Sequence, residues 1–127
     1  MMTVAYQGEP GAFSEEAARG FFGSKARLLP KESFKDVFEF ASKHPKDYGI
    51  VPLENSVYGS VHQNYDLLLR HKLSIVGEVK LRIQLHLMAL PGIPLGKVRS
   101  VYSHSQALGQ CEEYLRSLKG VNIVAYY

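Results

Sequence analysis

Glu54, Asn55 and Ser56 stand in a row directly after the apolar stretch Ile50-Val51-Pro52-Leu53, and their side chains are the ones best equipped for chemistry on a small polar molecule. A carboxylate, an amide and a hydroxyl differ in what they donate and accept, so together they can orient such a ligand. The plain alternative is that Asn55 and Ser56 bond the loop backbone. Glu54 resists that reading, because a carboxylate so close to the expected core costs energy unless something pairs with it.

Two further segments have comparable character. In Gln7-Gly8-Glu9-Pro10-Gly11-Ala12-Phe13-Ser14, glycines let the backbone approach a ligand and a following helix offers unpaired N–H groups to an anion, so Gly8, Gly11 and Ser14 are candidates for carboxylate binding. The lysine and spacing of a P-loop are missing, and an ordinary tight turn is the competing reading. In Ser103-His104-Ser105-Gln106, with Gln110 about one turn farther on, hydroxyl, imidazole and amide gather at another strand end. Ser103 and His104 do not read as a nucleophile and its base, since adjacent residues leaving a strand face apart and the glycines of a nucleophile elbow are absent. His44, His62, His71 and His86 have neither a glutamate at ligand spacing nor a neighbouring cysteine, so no metal is expected. Cys111 falls on an apolar helix seam and reads as a small buried hydrophobe.

The elements that would position these groups alternate. Residues 3–7 read as a buried strand, followed by a helix capped by Ser14 and closed by Gly23. Ser33, spaced for Asp36, starts a second helix with Phe34, Val37, Phe38 and Ala41 on one stripe. Residues 48–53 form a strand, and 60–71 a helix with Tyr65, Leu68 and Leu69 at helical spacing. Apolar and polar residues alternate over 78–88, the period of a half-buried strand. Residues 98–103 resume a strand, and Ser105 caps a helix with Leu108, Cys111, Leu115 and Leu118 on its seam. Gly120 ends that helix before a core strand over 121–127. Strands alternating with helices imply an α/β fold with mainly parallel sheets, in which ligands bind outside the carboxyl ends of the strands.

The chain has 127 residues, 46% hydrophobic and 21% charged, which is ordinary globular usage and excludes disorder, collagen and coiled coil. The net charge of +3 comes from scattered lysines and arginines, so no nucleic-acid face is expected. One cysteine excludes an internal disulfide and fits a reducing, cytoplasmic setting. No stretch has signal-peptide or membrane-span character, so no membrane partner is expected. The chain stops inside what reads as a core strand, which leads us to expect an incomplete domain whose last strand drives association or partial disorder, with a homo-oligomer as the expected state.

Taken together, these segments resemble the prephenate dehydratase family. The resemblance runs through Val4-Ala5-Tyr6-Gln7-Gly8-Glu9-Pro10-Gly11-Ala12-Phe13-Ser14, Tyr48-Gly49-Ile50-Val51-Pro52-Leu53-Glu54-Asn55-Ser56, Gly59-Ser60-Val61, Asp66-Leu67-Leu68, Gly77-Glu78-Val79, Val101-Tyr102-Ser103-His104, Gln106-Ala107-Leu108 and Gln110-Cys111. It implies a cofactor-free lyase that removes carbon dioxide and water from prephenate, or in some relatives arogenate, on the route to phenylalanine. It also implies two lobes built like a type II periplasmic binding protein, with residues 1–77 in the first lobe and 78–127 forming the crossover and part of the second. Glu54, Asn55, Ser103 and Gln110 then carry the catalytic roles, while Gly8, Gly11, Ser14, Ser56, His104 and Gln106 bind the substrate, all in a cleft between the lobes.

Some positions depart from the family. Its Thr-Arg-Phe segment, which assists the leaving group and holds a substrate carboxylate, falls beyond Tyr127, as does its phenylalanine-binding regulatory domain. Ser105 stands where the family usually has proline, and Leu85, next to His86, where it often has histidine. The fragment alone is therefore expected to be inactive. The competing reading is a noncatalytic module that binds a small carboxylic acid.

Overall fold

The computed structural model describes residues 1–56 and 59–126. They divide into two compact units, Met1–Arg82 and Ile83–Tyr127. The first holds β1 (Thr3–Gln7), α1 (Phe13–Phe22), β2 (Arg27–Lys31), α2 (Phe34–Lys43), β3 (Tyr48–Ile50), β4 (Glu54–Asn55), β5 (Gly59–Ser60) and α3 (His62–His71).

Strands β1 to β3 form a parallel sheet in the order β2-β1-β3. The chain leaves β1 to one side for β2, then crosses back past β1 to reach β3. Right-handed crossovers at both steps put α1 and α2 on opposite faces, which covers the central strand twice. Val4 and Ala5 accordingly have no exposed surface and Tyr6 has 1%, the continuous burial expected of a parallel strand between two helical layers. Alternation divides these residues between the layers. Val4 packs with Ala18 and Ala26 beneath Phe22, Leu28 and Ile50, and Tyr6 reaches Glu15 of α1. Ala5 points the other way, beside its register partner Gly49. There α2 lies so close that a Cβ on residue 49 would meet Val37 Cγ1 at 2.8 Å.

Several elements form as their spacing predicts. Ser33 Oγ accepts the Asp36 N–H at 3.1 Å and starts α2, whose Val37 and Phe38 are buried. Gly23 closes α1, its N–H donating to the Arg19 carbonyl at 3.0 Å.

Others differ. Helix α1 is capped by Ala12, not Ser14; the extended Ala12 sends its carbonyl to the N–H groups of Glu15 and Glu16, so Ser14 lies inside the first turn. The strand over 48–53 ends at Ile50, where its register with Tyr6 of β1 runs out, two residues before Pro52, which has no N–H to give a ladder. Helix α3 begins at His62 because Gly59 and Ser60 turn back to pair antiparallel with Asn55 and Glu54. Its buried face carries Asn64 and Leu67, while Leu69 is 79% exposed. The Asn64 Nδ2 bond to the Pro52 carbonyl, 2.8 Å, sets that rotation. Residues 78–88 are not a strand. Alternation prepares such a segment for pairing, but strand structure requires a ladder partner, and none of the described residues supplies one; Val79, Ile83 and Leu87 remain exposed.

The second unit contains a 3-10 turn (Leu95–Lys97), β6 (Ser100–Ser103), α4 (Ser105–Gln110), α5 (Glu112–Arg116) and β7 (Asn122–Ala125). Strands β6 and β7 pair in parallel with Val101 opposite Ile123, and Val101 and Leu115 are its buried apolar residues. The single helix expected after Ser103 breaks at Cys111 (φ −102°, ψ 12°), which is partly buried. Strand β7 is present where a core strand was expected, yet every one of its residues is exposed, since a two-stranded sheet gives it one neighbour. Tyr127, the last residue of that expected strand, lies outside the described residues. Among the described residues no helix is long and apolar enough to cross a membrane.

Candidate active site

The strand order β2-β1-β3 reverses direction between β1 and β3, and ligands of open α/β sheets bind outside the strand ends at such a reversal. Two of the candidate segments leave the sheet there: the turn after Gln7 of β1, and the residues after Ile50 of β3 that lead to Glu54.

In the first, Gly8 and Gly11 have φ of 124° and 97°, a region that side chains disfavour. The turn spends much of its donor capacity within the protein. Gly8 N–H donates to the Lys31 carbonyl at 2.9 Å, Ala12 N–H to the Glu9 carbonyl at 3.0 Å, and Gly11 N–H to Glu15 Oε1 at 3.4 Å. In this structure carbonyl and carboxylate groups of the protein take the Gly8 and Gly11 N–H groups. Ser14, in the first turn of α1, is partly buried. The Glu15 carboxylate also accepts from the buried Tyr6 hydroxyl at 2.9 Å. Burial, then the Glu15 carboxylate, push the Tyr6 phenol above its ordinary range.

In the second, Glu54 is an exposed strand residue, not a carboxylate near the core. Its partners are nevertheless specific. Tyr65 of α3 donates its hydroxyl to Oε1 at 2.6 Å, and Ser60 Oγ lies 3.0 Å from Oε1 and 3.2 Å from Oε2. These bonds, Tyr65 first and Ser60 second, hold the Glu54 carboxyl below its ordinary value, against a smaller desolvation effect and with a minor contribution from His62. The group is ionised at neutral pH and serves as a hydrogen-bond acceptor. The same bond raises the Tyr65 phenol. Asn55 pairs with Gly59 across the short hairpin, and Ser56 follows it.

In the second unit, Ser103 ends β6 and its carbonyl accepts the Tyr126 N–H at 2.7 Å. His104, not Ser105, caps α4, its Nδ1 accepting the Gln106 N–H at 3.2 Å. Gln110, the last residue of α4, is partly buried. Two shallow surface depressions lie elsewhere, one beside Lys31, Phe40 and His44 and one beside Leu108, Leu115 and Ile123; neither includes a candidate residue. Among the described residues no group of three or more His, Cys, Asp or Glu side chains could hold a metal ion.

Sequence reasoning missed Tyr65, Ser60 and Glu15. Tyr65 read as part of an apolar stripe and Ser60 as a helix start. The signal for both was the glycine at 59, which returns the chain past Glu54 and brings the next helix alongside.

Residues 4–127 match the family model for prephenate dehydratase. The chain is 47% identical to arogenate dehydratase 2 of Petunia hybrida over 92% of its own length and 29% of that protein's. It is 48% identical to the chloroplastic arogenate dehydratase/prephenate dehydratase 2 of Arabidopsis thaliana over 91% of its own length and 30% of that protein's. It thus spans less than a third of these relatives. Among solved structures, the prephenate dehydratase of Staphylococcus aureus subsp. aureus Mu50 superposes with a TM-score of 0.85 at 26% identity, covering 98% of this chain and 47% of that one. GqqA, described as a novel type of quorum quenching acylase, superposes with a TM-score of 0.79 at 29% identity, covering 98% and 45%. With β1 from Val4 onward, the helices packed on it and the Glu54 hairpin inside the matched span, the chain belongs to the prephenate dehydratase family.

Proposed function

We propose that the protein is a dehydratase acting on prephenate or arogenate, releasing carbon dioxide and water as the cyclohexadiene becomes an aromatic ring. The family match across residues 4–127 carries this reading, and relatives named for either substrate support it. In the reaction the ring carboxylate leaves as carbon dioxide and its bonding pair enters the ring. The carbon–oxygen pair departs with the hydroxyl, which takes up one proton to become water. Aromatisation supplies much of the driving force, so the protein's part is to orient the substrate and hydrogen-bond the departing hydroxyl.

In this reading Glu54, a carboxylate held by two hydroxyl partners, accepts the hydrogen bond of the ring hydroxyl and aligns the bond that breaks. Proton donation then falls to a hydroxyl, and Ser103 is the candidate; the amides of Asn55 and Gln110 hold substrate oxygens. Gly8, Gly11, Ser14, Ser56, His104 and Gln106 are assigned to substrate binding. Since Gly8 and Gly11 already spend their N–H groups within the protein, their part is to shape the turn, and the start of α1 at Ser14 meets the carboxylate. Residues 1–77 are assigned to a first lobe, and 78–127 to a crossover and part of a second. We also assign the protein a cytoplasmic location and self-association, with neither nucleic acid nor membrane as a partner. Relatives named chloroplastic make fractionation the check on location.

The test is to supply the full-length protein with prephenate and with arogenate and follow phenylpyruvate, phenylalanine and carbon dioxide. Stoichiometric formation of either aromatic product with carbon dioxide supports the reading. Failure to consume both substrates overturns it.

A further inference from the structure

The first turn of α3 grips three successive residues leading into the hairpin. Asn64 Nδ2 donates to the Pro52 carbonyl at 2.8 Å, Val61 N–H to the Leu53 carbonyl at 2.8 Å, and the Tyr65 hydroxyl to Glu54 Oε1 at 2.6 Å. Two of these bonds fix the backbone; the third fixes the carboxylate. Asn64 is fully buried and Leu67 nearly so, and they seat the helix together with His71 stacked on Phe38 of α2. Tyr65 is 37% exposed, and Glu54 is exposed. A hydrogen bond between such groups contributes little to stability, because water competes for both. Most of the Tyr65 surface is covered, so packing accounts for the ring, and it is the hydroxyl that calls for a further role.

Its geometric effect is specific. A carboxylate has about four acceptor positions; Tyr65 takes one on Oε1 from the α3 side, and Ser60 lies against both oxygens from the β5 side. Glu54 is exposed, so the rest stay open to solvent. Among the described residues, the charged and titratable groups facing Glu54 are Tyr65 and His62, both from α3.

We propose that Tyr65, assisted by Ser60, is a positioning residue for the dehydratase reaction: its hydroxyl holds the Glu54 carboxylate in one orientation, leaving an oxygen directed at the substrate's ring hydroxyl. This inference rests on the dehydratase reading above.

Tyr65→Phe keeps the ring and removes the donor; Ser60→Thr keeps the hydroxyl and Ser60→Ala removes it. In the full-length protein, Tyr65→Phe is expected to lower kcat about tenfold with KM little changed. The acidic limb of its kcat/KM profile moves to higher pH. Ser60→Ala changes both in the same direction to a smaller extent, and Ser60→Thr restores them. In parallel, the Glu54 side-chain carbon is titrated by NMR and is expected to titrate at higher pH in Tyr65→Phe. A Tyr65→Phe protein with unchanged kcat and an unchanged acidic limb overturns the proposal. If the parent protein transforms neither substrate, the dehydratase reading fails and the catalytic role of Tyr65 fails with it, while the NMR titration separately reports whether Tyr65 holds the carboxylate.

Discussion

The Tyr65 hydroxyl lies 2.6 Å from Glu54 Oε1 across eleven positions of sequence, and this contact gives an exposed, ionised acid a defined hydrogen-bond partner. The intervening chain makes a short antiparallel hairpin and enters α3, so the pairing follows from topology and not from local spacing.

This contact has a pH signature. The Glu54 carboxyl is lower in the folded chain than its ordinary value of 4.5, so its partners stabilise the fold above that value. The contribution is lost as pH falls through the lowered folded value. The stability difference between the parent and Tyr65→Phe is therefore expected to narrow in denaturant unfolding as pH falls below the ordinary carboxyl value. A difference independent of pH contradicts the assignment.

Tyr6 and Glu15 make the corresponding link at the end of β1. Tyr6 is buried and donates at 2.9 Å to a carboxylate that also accepts the Gly11 N–H. Tyr6→Phe is expected to cost about 1–2 kcal/mol and to speed hydrogen exchange at Gly11. A variant as stable as the parent, with Gly11 equally protected, would count against the link.

Ser33→Ala removes the one acceptor that Ser33 offers to the Asp36 N–H. Loss of about 1 kcal/mol is expected, the usual effect of deleting such a cap. Chemical unfolding at neutral pH measures it.

Gly49 marks the closest approach of α2 to the sheet. Gly49→Ala would put a methyl group 2.8 Å from Val37 Cγ1, and destabilisation of about 1–3 kcal/mol is expected. Pairing it with Val37→Ala should recover part of that loss by making room; an additive double variant would argue against the clash.

What was legible in the chain was mostly local. Ser33 and Asp36 lie within one helical turn and declare α2; the order of strands and helices declares the parallel α/β fold. The start of α1 was misread because Ser14 is a good cap in isolation, whereas the structure places the start at Ala12 and closes the turn with Glu15 and Tyr6. The face of α3 was misread because a polar residue, Asn64, takes the buried position by bonding Pro52. Residues 78–88 show a strand's alternation, but pairing depends on a neighbour that alternation cannot reveal. Of the site, Glu54 was legible from its neighbours, while Tyr65 and Ser60 meet it only once the hairpin has folded.

The central claim is that Glu54 acts on the substrate as a held carboxylate. Its most direct measure is kcat/KM for the full-length protein and its Glu54→Gln variant, with prephenate and with arogenate. Glutamine preserves the shape and removes the charge, so the account predicts a fall of at least about a hundredfold on whichever substrate the parent transforms. Unchanged kinetics in a folded Glu54→Gln protein would contradict it.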